Sequence, residues 1–210
     1  DWNLIFRAIS PLILISIGAG LTIPFVNLFF NSIFNLSSSD FSLLGSFTAL
    51  LVFIFSLLVP TLRKKYGYWA TIVLNQSLAI IFLIIMATTE LYAASSYAII
   101  IAISAYILRQ PLMHMAHPAS NELMMNYVGK KNQELISALS SSLWSASWFI
   151  SAKIFEWLRI LEFQYFEIFL ITAALYIIGV VLFGFLISQY EKNSRKSNQI
   201  LPIADELSID

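Results

Sequence analysis

FSLLGSFTALLVFIFSLLVPTLRKKYGYWATIVLNQSLAIIFLIIMATT, residues 41–89, reads as two apolar runs separated by one basic cluster, Arg63, Lys64 and Lys65. The runs are Phe41–Leu62 and Trp69–Thr89. Each reaches the roughly 20 residues that a helix needs to cross about 30 Å of hydrocarbon. The pattern continues on both sides with Leu4–Phe30, Ala93–Ala116, Leu135–Phe155 and Phe166–Ser188. One soluble domain cannot bury that much apolar surface as near-continuous runs. The expected fold is therefore an all-α membrane protein with six transmembrane helices across residues 1–190. Residues 191–210 form a polar cytoplasmic tail, expected to be disordered apart from a short contact by Ile200–Ile203.

Composition narrows the chemistry. Charged residues are 11% of the chain, against about 25% in soluble domains. Net charge is zero, which argues against a nucleic-acid partner. With no cysteine and two histidines, neither thiol chemistry nor a structural zinc site is expected, and no cofactor is implied. The first run lacks the basic flank and small-residue cleavage site of a signal peptide. The chain starts at Asp1, which suggests a fragment of a longer protein or a processed start.

Basic residues set the topology. Arg63, Lys64 and Lys65 follow the second run, Lys130 and Lys131 follow the fourth, and Lys192, Arg195 and Lys196 follow the sixth. The alternate gaps hold only Arg159, with Lys153 just before it. Both termini are thus expected on the cytoplasmic side of a cell inner membrane, with Arg7 near the same face. Trp2, Trp69, Trp157, Tyr66, Tyr68, Tyr165 and Tyr190 lie near run ends, where amphipathic rings anchor. Gly18 and Gly20 in the first run, and Gly179 and Gly184 in the sixth, are read as close-approach points between helices.

Function should show where polar residues interrupt the apolar pattern at membrane depth. The first run has Pro11, Gly18, Gly20, Pro24 and Asn27 in or around "SIGAGLTIPFVN", a kinked helix suited to lining a path. Asn75 and Gln76 are read as interhelical hydrogen-bonding groups. The fourth run, "AYILRQPLMHMAHPASNELMM", departs furthest from lipid-compatible sequence. Arg109 falls about 21 Å from the outer boundary at Ser95, taking 1.5 Å per residue. Facing lipid there would cost about 2.5–3.5 kcal/mol, so a protein- or cavity-facing side chain is expected. Glu122 is about 20 Å away along an unbroken helix, and spans one, two, three and six have no central acid. A substrate, another part of the protein, or water and carbonyls must therefore satisfy Arg109.

Gln110, His114, His117, Asn121 and Glu122 continue the polar line towards the cytoplasm. His114 and His117 share a helix face and suit either proton relay or polar lining. Glu122 is placed to meet Arg63, Lys64 or Lys65 as a gate. In the fifth run, "SALSSSLWSASWFISAK", the small residues permit close helix contact. Trp144 and Trp148 are read there as packing groups on one face.

The order of these features resembles the carboxy-terminal six-helix half of a major facilitator superfamily transporter. The resemblance runs along residues 4–188 and rests on "GAGLTIPFVNLFF", "LVPTLRKKYGYWATIVLNQ", "LRQPLMHMAHPASNELMM" and "YVGKKNQELISALSSSLWSASWFIS". The second segment looks like the family's basic loop, with Gly67 at its second glycine. Pro60, Lys64 and Tyr68 stand where a glycine, an aspartate and a basic residue are usual, so no acidic relay is expected at this loop. Arg109 resembles the fourth-helix arginine of some proton-coupled members, with Leu112 in place of the usual glycine. The resemblance implies two inverted three-helix repeats and alternating access, the path being closed by a missing amino-terminal half or by a second copy.

The leading reading is a secondary transporter, or half of one, moving a small and plausibly anionic organic solute through the bilayer with proton coupling. A non-transporting scaffold or assembly subunit is the alternative, and it would pack its polar residues tightly and enclose no cavity. No HExxH, GxSxG or paired-aspartate arrangement points to an enzyme, and no filter-like segment or charged ring points to a channel.

Overall fold

A computed structural model describes the backbone of residues 2–206 and the side chains of residues 2–195. All regular elements among these residues are helical. α1 (Trp2–Thr22), a 3-10 turn (Ile23–Phe25) and α2 (Val26–Phe34) form one interrupted apolar span. Pro11 is carried within α1, whereas Pro24 sits in the 3-10 turn, where its missing N–H is tolerated. Asn35 ends α2 in the left-handed conformation, φ 54°, which asparagine accepts more readily than most residues. Ser37 then caps α3 (Ser38–Ser56), its hydroxyl accepting from the Asp40 N–H at 3.1 Å.

The second expected run, Phe41–Leu62, is shorter in the structure. α3 stops at Ser56, and α4 (Val59–Tyr68) begins with Pro60 in its first turn, a position where proline is already set for helix. The basic cluster therefore lies on a short helix rather than in an open gap. Gly67, at φ 76°, breaks that helix in a conformation most side chains avoid. A wide π-helical turn (Trp69–Leu74), α5 (Asn75–Thr88) and a 3-10 turn (Thr89–Tyr92) complete the span.

α6 (Ala98–Val128) carries Pro111 and Pro118 without interruption and runs well past Ala116. The prolines do not fold Glu122 back towards Arg109. α7 (Gln133–Ile160) and α8 (Tyr165–Glu206) follow. α8 continues as helix to Glu206, where sequence alone suggested a disordered tail. Residues 191–201 contain no glycine or proline, and the helix carries Pro202 within its last turns. The suggested Ile200–Ile203 contact lies outside the described side chains, and residues 207–210 lie outside the described backbone.

Among the described residues, five helical segments are long and apolar enough to cross a membrane: Trp2–Phe34, Ser38–Ser56, Val59–Tyr92, Ala98–Val128 and Tyr165–Arg195. The fifth expected span, Leu135–Phe155, is helical within α7, but α7 is not apolar enough to join them. Its 28 residues include seven serines, together with Glu134, Lys153, Glu156 and Arg159. Length is satisfied there and composition is not.

α1 is the hub, packed on α7 and α8, and α6 is its counterpart, packed on α3 and α5. The remaining major pairing joins α5 to α8. Exchanging α1, α3 and α5 with α6, α7 and α8 maps this pairing pattern onto itself. Burial follows the same logic: 56% of the most apolar window in the first span is buried, against 6% in α3 at the periphery.

Small residues make the hub compact. A Cβ added to Gly18 would lie 2.9 Å from the Tyr176 ring, one at Gly20 would lie 2.6 Å from Ser151, and one at Gly179 would lie 2.8 Å from Ile15. Three of the four predicted glycines thus mark close helix approaches. Gly184 does not, since nothing lies within 4 Å of its added Cβ. The Ser151 hydroxyl donates to the Ile17 carbonyl at 2.8 Å, and Thr22 donates to Thr172 at 3.1 Å, stitching α1 to α7 and α8. Phe25 stacks on Phe155 with ring centroids 3.5 Å apart.

Candidate functional site

One face of α6 presents Gln110, Met113, His114, His117 and Ser120, three or four residues apart. With Arg109, this stripe forms one wall of a cavity of about 220 Å³. α1 contributes the apolar side chains Leu12, Ile15 and Ala19, with Ile23 from the turn beyond it. Gln76 of α5, Trp144 of α7, and Tyr176 and Phe183 of α8 complete the lining. The site therefore lies where the two hub helices meet. A second hollow of about 310 Å³ shares Leu12, His117 and Trp144 with the first and adds Asn121, Ser140, Ser141 and Ser145.

Arg109 is 1% exposed, yet its hydrogen bonds are long and made only to neutral groups. Nη1 donates to Gln110 Oε1 at 3.3 Å, and Nη2 donates to the Tyr176 hydroxyl at 3.4 Å. Nε makes no hydrogen bond within the protein. The ion pairs among the described residues are Arg63–Glu122 and Lys153–Glu156, so no described carboxylate neutralises Arg109. The Tyr176 ring, 6.0 Å from the guanidinium carbon, supplies weak cation–π attraction. Gln76 is 3% exposed, and its Oε1 also lacks a partner. Leaving buried polar atoms unpaired is costly in apolar surroundings. Arg109 and Gln76 both line the cavity, and a ligand that both accepts and donates would satisfy these buried atoms once the side chains turn towards it.

His117 is tied to the second hollow. Its ring stands edge-on to Trp144 with centroids 5.6 Å apart, and its Nδ1 lies 3.4 Å from Asn121 Nδ2. Arg109, Gln110, His114, His117 and Asn121 are thus brought together along two hollows that share lining residues. Asn27 is not: it is half-buried on α2, away from the cavity lining, and its Oδ1 has no partner.

Towards the basic end, Arg63 Nη2 meets Glu122 Oε1 at 2.5 Å and donates to the Tyr68 hydroxyl at 2.5 Å. Asn126 also donates to that hydroxyl, and the Tyr68 ring stands edge-on to Tyr190. The cluster therefore links α4, α6 and α8. Lys64 and Lys65 are exposed and do not pair with Glu122. Because Arg63 and Glu122 keep 33% and 46% of their side chains exposed, the pair is worth about 0.2–1 kcal/mol. Glu122→Gln should lower the melting temperature by no more than about 3 °C. If the pair acts as a gate, the same variant changes transport rate, and the Arg63→Glu/Glu122→Arg exchange restores it.

Tyr176, Gln76 and Trp144 extend the site beyond the residues favoured by sequence reasoning. Tyr176 carries the only hydroxyl-bearing ring within the apolar run of the sixth span, a signal that was present but outweighed by the apolar neighbours. Gln76 is read from the sequence as an interhelical hydrogen-bonding group and Trp144 as a packing group. Asn75, beside Gln76, departs from the expected interhelical bond: it donates to the Thr71 carbonyl four residues back in its own span at 3.0 Å.

The described residues define an all-helical membrane protein. No protein-family model matches the sequence, and no curated protein matches it.

Proposed function

We propose that this chain forms one wall of the translocation path of a secondary transporter for a small organic solute, working by alternating access. The observation that carries this reading is Arg109, buried beside a cavity with no described carboxylate to neutralise it. A helical membrane scaffold gains nothing from an unneutralised arginine at this depth, whereas a carrier gains a binding charge. The cavity itself speaks against the scaffold alternative, which calls for tight packing around these groups. The pairing of helices, unchanged when the first three spans are exchanged with the last three, supports a fold of two inverted repeats, as in half of a major facilitator carrier. In this reading α7 crosses the membrane as the fifth span, both termini are cytoplasmic, and a second six-helix unit forms the opposite wall. His114 and His117 carry the coupling proton.

The test is flux in liposomes containing the full-length protein and a pH-sensitive dye. A panel of mono- and dicarboxylates, amino acids and sugars is added outside, with and without an imposed proton gradient. Solute-dependent acidification of the lumen is expected for at least one class. A protein that moves none of them under either condition is not a proton-coupled carrier of such solutes.

A further inference from the structure

We infer that the Arg109 cavity binds a small monocarboxylate with an apolar body and one hydrogen-bond donor near its carboxylate. The inference rests on the transport reading for its physiological role, but the binding chemistry stands on the cavity lining.

The charge inventory limits the ligand first. Among the described residues, Arg109 is the sole Lys or Arg of the lining, and no Asp or Glu lines the cavity. One carboxylate can replace the weak neutral partners of the guanidinium with a charge-assisted pair. A second carboxylate would find no further arginine or lysine, only an imidazole of His114 or His117 that must first take up a proton, and desolvating an unpaired ion costs several kcal/mol. An amino-acid ammonium faces the same penalty, because no acid lines the site.

Shape and polarity limit it further. Leu12, Ile15, Ile23, Met113 and Phe183 make much of the cavity wall apolar, alongside its polar side chains. A sugar would leave several hydroxyls unpaired against that wall. The volume of about 220 Å³ lies below the roughly 300–1,000 Å³ usual for drug-sized ligands, so the body is small. The unpaired Gln76 Oε1 accepts from the ligand's donor, which the carboxylate alone lacks.

A series on one carbon skeleton separates these requirements. The probes are 4-methylpentanoate, its 2-hydroxy derivative, leucine, 4-methylpentanamide and isobutylmalonate. They supply the monoanion, the monoanion with a donor, the zwitterion, the neutral amide and the dianion. Binding is read on the purified full-length protein in non-ionic detergent, by tryptophan fluorescence and by thermal melting. The 2-hydroxy acid should bind about tenfold tighter than 4-methylpentanoate, the scale of one good hydrogen bond. It should bind on the order of 100-fold tighter than leucine, the amide or isobutylmalonate. Decanoate tests for a lipid-like anion instead, and preferential binding of decanoate overturns the inference.

Arg109→Gln should lower affinity for the 2-hydroxy acid on the order of 100-fold. Gln76→Leu should erase its advantage over 4-methylpentanoate, and this variant remains informative if Arg109→Gln does not fold. Equal binding of leucine or isobutylmalonate, no binding of any acid, or an unchanged affinity in Arg109→Gln overturns the inference. Binding without flux would remove the transport reading and leave this one standing. Flux of a dianion or zwitterion through the same site would do the reverse.

Discussion

Arg109→Met is expected to abolish solute flux while leaving the protein as stable as before, or more so. The two effects separate because they have different physical origins. In the folded protein the guanidinium is removed from water without a described carboxylate partner, and its two hydrogen bonds are 3.3 and 3.4 Å long. Replacing an incompletely satisfied buried charge by an apolar side chain of similar reach is commonly neutral or stabilising, by about 1–4 kcal/mol for well-packed cases. The ligand, in contrast, loses its only full countercharge. Truncating one member of a buried, hydrogen-bonded charge pair costs about 2–5 kcal/mol of binding, a loss of about 30-fold or more. Flux into liposomes and the melting temperature of the same preparation measure the two sides. A drop of several degrees with flux retained would falsify the binding role and make Arg109 a structural residue.

The second large effect lies at the contact between α1 and α7. Gly20→Val should lower the melting temperature by about 3–10 °C, from an overpacking cost of about 1–3 kcal/mol. Even the first added carbon lies 2.6 Å from Ser151 and 3.1 Å from the Ser147 carbonyl oxygen. One of these neighbours is backbone, so rotamer changes alone cannot relieve the contact. The helices must separate, and the 2.8 Å bond from Ser151 to the Ile17 carbonyl is lost. Ser151→Gly should restore part of the stability in the double variant. Gly45→Ala and Gly184→Ala provide the comparison, because nothing lies within 4 Å of either added Cβ. These two should show no loss, and the helix-favouring change from glycine should yield a small gain. A fall of equal size in all three would remove close approach as the cause.

The helical character of the fold was legible because hydropathy and helix length record the same constraint from lipid. Boundaries were less legible. The run Phe41–Leu62 is continuous in hydropathy, but the chain turns after Ser56, and Pro60 starts a new helix inside the apolar stretch. Apolar composition does not register a break that leaves the solvent unchanged. For the site, Arg109 and the α6 stripe could be read from one helix, because three- and four-residue spacing fixes a shared face. Tyr176, Gln76 and Trp144 could not be placed there, since which face of α8, α5 or α7 meets α6 depends on tertiary packing. The Arg63–Glu122 contact lay between these cases: opposite charges near the same end suggested it, and the geometry selects Arg63 over Lys64 and Lys65.

α7 fails an apolarity test because a scale assigns each serine a fixed polarity, whatever its hydroxyl is doing. In this helix Ser140 donates to the Ile136 carbonyl, Ser141 to Ser137 and Ser145 to Ser141. α3, its counterpart under the helix exchange, does the same through Ser42, Ser46 and Thr48. Each of these protons is already committed to the helix that bears it, so the outward surface offers fewer donors than its composition implies. In each helix part of the hydroxyl set is thus turned back on its own backbone. The polarity left for contact between helices is smaller than the composition implies, and in α7 it is Ser151, bonded to the Ile17 carbonyl, that carries it.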